Sequence, residues 1–423
     1  MDFNKYLETK LINNYDAGGL DVIKIRLIQQ HIIPNRITNN ITKPLLDDVL
    51  VYLSSDSIKI TDPDLAKKII DYLRQLPGCP DEFITWLEMI NPAGSVISSI
   101  QQAFIYLIKT TREYCTLTGE ALTDCLYNNI KCWIFSVFTL AMAKVIFSQP
   151  TLTINPDYLF FISGSYSLVD MLVDSGSASS NNITGLLEQI KQLLSQSPTK
   201  SSSNTPATFL YNKLIASGYT PEKVDAAKYC LKTEADCHKL QRNPAVSLSH
   251  HELIQLTIDK GVSTGNLIAA AYALDLETGP VDAKLELPDN LFKLYSILMQ
   301  LLDDLADYKE DCQAGIKTAV QAYAHGSYAG YALCVLDIVL DFLAGCEESG
   351  LFDKTQLQGL KTGFPNFWCY CVTRNLEFIE TEPELIGLIQ DIYLFDTEYI
   401  QELRAEKHKK KAGLCTWAEE LAG

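Results

Sequence analysis

Two stretches of this sequence carry carboxylates at spacings that can do chemistry. In Tyr158–Gly176, Ser163, Ser167, Asp170 and Asp174 follow one another at steps of 4, 3 and 4 residues. In Leu294–Asp311, Ser296, Gln300, Asp303 and Asp307 repeat those steps, and Asp311 adds a further turn. Such steps put all of these groups on one face of an α-helix. Asp304 is turned about 100° from that line. Nearly every other position in both stretches is apolar, among them Met171, Leu172, Leu298, Leu301 and Leu302. A surface helix has a narrow apolar stripe and a wide polar face; here the proportions are inverted.

A narrow acidic line on a buried helix is costly. Carboxylates one turn apart repel by a few tenths of a kcal/mol even in water, and unpaired charge inside a core costs far more. Few Lys or Arg residues lie in either stretch. A hard divalent cation meets the need, because Mg²⁺ takes carboxylate oxygens and keeps positions for water and phosphate. Two such helices facing each other are expected to bind Mg²⁺ and, through it, a diphosphate.

These motifs resemble those of the class I isoprenoid synthases: trans-prenyltransferases, terpene cyclases, and squalene and phytoene synthases. The run Gln300-Leu-Leu-Asp-Asp-Leu-Ala-Asp307 resembles the second aspartate-rich motif, Q-x-x-D-D-x-x-D, with Glu310, Asp311 and Gly315 as its extension. Ser263-Thr264-Gly265 resembles the family's Lys-Thr-Gly helix upstream of that motif. Asp170-Met-Leu-Val-Asp174 resembles a first motif, 133 residues before Asp303. The resemblance implies an all-α helical bundle with a central cavity. It also implies Asp170, Asp174, Asp303 and Asp307 as the catalytic, Mg²⁺-holding residues, with Asp304 and Asp311 as further ligands. The resemblance implies three Mg²⁺ ions with the diphosphate, and Mn²⁺ as the substitute. Thr264, Gln300, Tyr166 and Phe161 are the implied contacts to substrate, and Lys317 and Arg374 the cations for the diphosphate. The implied partner is a prenyl diphosphate, and the implied assembly a homodimer.

Departures from the pattern bear on the reaction. Val169 precedes Asp170, and Ser175-Gly176-Ser177 follows Asp174, where an elongating prenyltransferase has a fuller acidic motif and Arg. Ser263 stands where the Lys that grips isopentenyl diphosphate is expected. Both losses weaken binding of a second substrate and favour ionisation and cyclisation of one. The N-D-x-x-S-x-x-x-E motif of many cyclases is absent; Asn181-Asn182 and Glu188 have the wrong spacing. Because a D-x-x-x-D first motif also occurs in squalene and phytoene synthases, prenyl transfer stays open as the alternative. A non-catalytic helical subunit is the third reading.

The elements that must position these residues read as helices throughout. Leu65, Ile69, Ile70, Leu73 and Leu76 recur at helical spacing and stop at Pro77-Gly78. Further helices are expected over Ile97–Tyr114, Pro156–Asp174, Pro221–Tyr229, His250–Ala273, Asp289–Asp311 and Ile316–Cys346. From Thr355 onward the pattern is helical with breaks at Pro365 and Pro383. Residues 1–150 form an expected N-terminal helical extension packed on the core, and 151–423 the α-domain. A polar stretch over 195–208 is expected as a mobile loop.

The chain has 423 residues, a formal charge of −17 and an acidic pI near 4.8, which argues against electrostatic binding to nucleic acid. With 47% hydrophobic and 21% charged residues it can bury a core. Its 12 Cys include Cys230, Cys237 and His238, and Cys369 with Cys371, but neither group completes a four-ligand zinc set. The charged start MDFNKYLETK lacks the apolar run of a signal peptide, so free thiols in the cytoplasm are expected. The apolar stretch Cys132–Phe147 contains Lys144 and is short for a bilayer, so a buried helix without stable membrane insertion is expected.

Overall fold

The computed structural model describes residues 1–13, 15, 19–32, 52, 64–76, 84, 95–149, 154–174, 189–190, 192–193, 205–218, 220–272, 287–323 and 326–393. Among these residues every regular element is helical, so the fold is all-α. In chain order the helices are α1 (Phe3–Ile12), α2 (Gly19–Gln29), α3 (Leu65–Leu73), α4 (Ser95–Thr118) and α5 (Leu122–Ile146). They continue with α6 (Pro156–Asp174), α7 (Pro206–Ala216), α8 (Pro221–Gln241), α9 (His250–Ala269) and α10 (Leu287–Ala306). The last are α11 (Tyr308–Ala314), α12 (Ala319–Ala322), α13 (Tyr328–Ser349), α14 (Lys354–Thr373) and α15 (Pro383–Ile392). The chain divides into two compact units that interleave in sequence. One comprises Met1–Ile97, Pro244–Gly261 and Val281–Ala405; the other Ser98–Asn243, Val262–Pro280 and Glu406–Gly423.

The first unit is organised around α13. Its sequence is apolar apart from Asp337, Asp341 and the glutamates of its last turn, and Val335, Leu336, Ile338, Val339, Leu340, Phe342 and Leu343 are completely buried, as a largely apolar helix must be. Ser327 caps its start by accepting from the Gly330 N–H, and Gly350 ends it in the left-handed conformation (φ 66°). α10, α14, α1 and α2 pack on it. The Trp368 indole N–H of α14 donates to the Ala332 carbonyl at 2.8 Å, and Phe342 packs between the rings of Tyr295 and Phe364. α9 meets α10 at Gly261, where an added Cβ would lie 2.7 Å from the Ser296 carbonyl oxygen and 2.9 Å from Ile297 Cα. Any side chain there would push the two backbones apart.

Two carboxylates stand at this core, Asp337 buried and Asp341 half-buried. Asp337 and Asp341 project from α13 and pair with Lys10 of α1 and Arg26 of α2, both of which reach both acids. Tyr6 donates to Asp341 at 2.6 Å and Tyr15 to Asp337 at 2.8 Å. Burial pushes the Asp341 carboxyl upward, but the bonds from Lys10 and Tyr6 outweigh it and hold it below the usual range. The N-terminal helices are thus fastened by a buried ionic network.

The second unit is built on α6, which packs against α5 and α7. Asn155 starts the helix by accepting from the Tyr158 N–H at 3.1 Å, and Pro156 occupies its first turn. Tyr158, Leu159, Phe160, Phe161 and Ile162 are all buried, on the order of 2 kcal/mol for each large side chain.

Several helix limits differ from those expected. The helix expected over 289–311 ends at Ala306 and restarts at Tyr308, because Asp307 adopts φ −98°, ψ 11°. The end is stabilised from outside: Asn375 Nδ2 donates to the Leu305 and Ala306 carbonyls, both at 2.9 Å, and the Tyr328 hydroxyl to Leu305 at 3.0 Å. The helix expected over 316–346 divides into α12 and α13, parted by Gly326 at φ 69°. Pro365 lies inside α14 and is buried there, so core packing outweighs its lost N–H. α8 runs past Tyr229 to Gln241, and α9 gives way to a 3₁₀ turn at Ala270. Of the expected loop, 195–204 lies outside the described residues, and 206–208 is helical because Thr205 and Thr208 form a reciprocal cap at the start of α7. Among the described residues, two helical segments are long and apolar enough to cross a membrane, Asp124–Ile146 and Tyr328–Ser349, with 50% and 83% of their most apolar windows buried. The second is the core helix α13.

Candidate functional site

The acidic residues of the second motif collect at the C-terminal end of α10. The break at Asp307 leaves their register intact, since the Asp307 N–H bonds the Asp303 carbonyl at 2.9 Å and the Asp311 N–H bonds the Asp307 carbonyl at 2.8 Å. Asp303, Asp307 and Asp311 therefore remain successive members of one i, i+4 line. Asp303 is exposed, and Asp307 and Asp311 are half-buried. Arg374, the C-cap of α14, pairs with Asp307 at 2.7 Å and with Glu310 at 3.5 Å. Burial and the facing charges of Asp304, Asp303 and Asp307 push the Asp311 carboxyl up to about 8, against the pull of Lys260.

Asp304 is used differently. It is 5% exposed, accepts from Gln300 Nε2 at 2.9 Å, and accepts from the Ala319 N–H at the first turn of α12 at 3.2 Å. Burial pushes it up to about 6. Gln300 is thus a support for Asp304 within the acidic helix. Lys317 points its ammonium to the Val246 carbonyl. Asn375, which the sequence reading passed over, is completely buried and spans the α10–α11 junction, also accepting from the Lys309 N–H at 3.3 Å. Its only local signal was an Asn directly after the last turn of a helix.

Other residues singled out from sequence belong to the second unit. Phe161, Tyr166, Cys230, Glu234 and Leu267 line one small cleft. The Tyr166 hydroxyl lies 2.7 Å from Thr264 Oγ1 and 2.8 Å from Cys230 Sγ, one hydrogen-bonded chain across α6, α8 and α9. Burial pushes the Tyr166 hydroxyl far up and the Cys230 thiol up to about 12, so both stay protonated at neutral pH. Phe161, Tyr166 and Thr264 thus share one neighbourhood. Ser163 returns its hydroxyl to its own helix, donating to the Leu159 carbonyl at 2.8 Å. Asp170 and Asp174 close the last turn of α6, and their side chains lie outside the described residues.

Among the described residues, no group of three or more His, Cys, Asp or Glu stands assembled as a metal site. The donor chemistry at the end of α10 is nevertheless of the kind a hard divalent cation takes, carboxylate oxygens, and burial together with the facing acids raises the Asp311 carboxyl, a demand that a cation would relieve. Asp303, Asp307 and Asp311 are the residues that would hold it. Compared with protein-family models, curated proteins and solved structures, the chain matches none.

Proposed function

We propose that this protein is a Mg²⁺-dependent class I terpene synthase, which ionises a linear prenyl diphosphate, cyclises or rearranges the carbocation and releases diphosphate. The observation that carries the reading is the acidic line Asp303, Asp307 and Asp311, kept in register through the α10–α11 break with Arg374 beside it. Mg²⁺ supplies the positive charge that makes diphosphate a good leaving group. Asp303, Asp307 and Asp311 hold the ions, and Asp170 and Asp174 serve the same purpose from the first motif. Arg374 exchanges its partner Asp307 for a diphosphate oxygen, a charge-assisted contact that a planar guanidinium makes well. Phe161 and Tyr166 belong to a small cleft of the second unit, and aromatic faces are groups that can stabilise a carbocation.

The test is product analysis by mass spectrometry after incubation with ten-, fifteen-, twenty- and twenty-five-carbon prenyl diphosphates and Mg²⁺. Each substrate is run with and without isopentenyl diphosphate. A hydrocarbon or alcohol from one substrate alone is the expected result. A longer diphosphate or a head-to-head product would replace this reading with prenyl transfer, and no product under any condition would favour a non-catalytic subunit.

A further inference from the structure

The face of α14 that leads to Arg374 is aromatic and exposed. Phe367, Tyr370 and Arg374 follow at steps of 3 and 4 residues, one line along the helix, and Arg374 keeps helical backbone angles at its cap. Trp368, Cys369, Cys371 and Val372 lie on the other sides and are buried. The Phe367 and Tyr370 rings are nearly parallel, 11° apart with centroids at 6.2 Å, and they are 39% and 42% exposed. Seven residues of helix make this ledge about 10 Å long, and no charged residue occurs over 362–373. Past Arg374, Phe378 is 41% exposed and meets Tyr308, the residue after Asp307, edge to face at 4.9 Å. Three of the four exposed aromatic side chains among the described residues therefore stand within seven positions of Arg374. That arginine pairs with Asp307 at 2.7 Å and with Glu310 at 3.5 Å. Exposed apolar groups are ordinary singly and mark a binding surface when gathered.

We infer that the Phe367–Tyr370 ledge binds the hydrocarbon chain of a prenyl diphosphate whose diphosphate lies at Arg374 and the acidic line. The inference rests on the proposed function and adds where the chain lies. The occupant follows from the two ends of the surface. At one end stand a guanidinium, which takes phosphate oxygens through parallel N–H bonds, and the carboxylates Asp303, Asp307 and Asp311 on the neighbouring helix end. The other end is uncharged and apolar. An anionic head on an apolar chain satisfies both. Because the acids outnumber the arginine, the head needs Mg²⁺ to approach, whereas the contact of the chain with the rings does not. Size favours a small molecule over a protein. Two rings at this exposure offer on the order of 150 Å², far below the roughly 800 Å² per side that a stable protein interface buries. Tyr370 and Phe367 thus act on the chain alone, and their contribution grows with chain length until the ledge is covered.

The test is titration calorimetry of the full chain with Mg²⁺ and inorganic diphosphate, then with five-, ten- and fifteen-carbon prenyl thiolodiphosphates, which resist ionisation. Wild-type affinity is expected to rise with chain length. Phe367→Ala/Tyr370→Ala is expected to weaken the fifteen-carbon analogue by more than about tenfold and to leave inorganic diphosphate within about twofold. Phe367→Leu/Tyr370→Phe, which keeps the apolar surface, is expected to retain most of the affinity. Both changes are at exposed positions, and circular dichroism verifies the fold. Chain-length dependence that survives the alanine variant would overturn the ledge and leave the terpene synthase reading standing. An equal loss for diphosphate itself would also overturn it, since the rings would then act on the head. A wild type that binds neither diphosphate nor any analogue would overturn both. A dimer in gel filtration that the alanine variant dissolves, with chain binding unchanged, would assign the ledge to a second copy instead.

Discussion

At the scale of single residues, Asp311 shows what the acidic line costs. Its carboxyl rises from the ordinary 3.8 to about 8, through burial and three neighbouring carboxylates. The sign of the pH dependence follows. Between those two values the folded protein holds a proton that the unfolded chain has released, so unfolding free energy falls as pH rises through that window. Asp304, raised to about 6, adds a loss of the same sign over its lower part. Without divalent cations, the thermal midpoint should therefore decline from mildly acidic to mildly alkaline pH, and Asp311→Asn should flatten the decline. Mg²⁺ should offset it most above pH 8, where the carboxylate is ionised. Thermal unfolding across pH, with Mg²⁺ or with a chelator, measures both; a flat wild-type profile would contradict the assignment. Asn375 is the residue-scale counterpart on the structural side. Asn375→Ala removes its two bonds to the Leu305 and Ala306 carbonyls, and a loss of about 2 kcal/mol is expected for orphaning buried acceptors. Denaturant unfolding measures it, and a change within experimental error would mean that those carbonyls find other partners.

At the scale of elements, some of the molecule was legible and some was not, for identifiable reasons. The limits of α6 were readable at both ends, because Pro156 opens the helix and Ser175-Gly176 closes the pattern. The break between α10 and α11 was not, because Asn375 and Tyr328, which stabilise it, are distant in sequence. Pro365 misled for the converse reason, since a strong local breaker yielded to burial in α14. Most instructive is α13. Asp337 and Asp341 have the same D-x-x-x-D spacing on an apolar helix as Asp170 and Asp174, and they are neutralised by Lys10 and Arg26 from helices more than 300 residues earlier. Spacing reports that an acidic pair needs a cation, and the cation's identity is supplied by tertiary structure. Arg26→Ala therefore leaves buried Asp337 and half-buried Asp341 with Lys10 as their cation, beside the Tyr6 and Tyr15 hydroxyls. It should destabilise the protein by about 2 kcal/mol, below the full penalty for a bare buried charge because Lys10 remains and Arg26 is partly exposed. Urea unfolding of the variant tests this, with an unchanged midpoint as the contrary result.

At the scale of the whole molecule, each compact unit is assembled from three separate stretches of chain. In the first unit, α1 and α2 are tied to α13 by the ionic network and by buried Phe3, Leu7, Ile23 and Leu27. Removing residues 1–30 should therefore strip cover from α13 and yield aggregated chain, read as loss of the soluble species in gel filtration. A soluble, helical truncation would show that these helices are dispensable to the first unit. The all-α class was legible at this scale from periodicity and sparse Gly and Pro, whereas the interleaving of the units depends on long-range packing that periodicity does not encode.

The central claim is that the acids at the end of α10 hold the Mg²⁺ through which a prenyl diphosphate is ionised. The most direct test is diphosphate release with Mg²⁺ from the best substrate of the panel, comparing wild type with the Asp303→Asn/Asp307→Asn double variant, both verified as folded by circular dichroism. The account predicts turnover by the wild type and a drop of more than about a hundredfold in the variant, as expected when charge stabilisation of the leaving group is removed. Turnover by the variant within about tenfold of wild type, just over 1 kcal/mol of barrier, would contradict it.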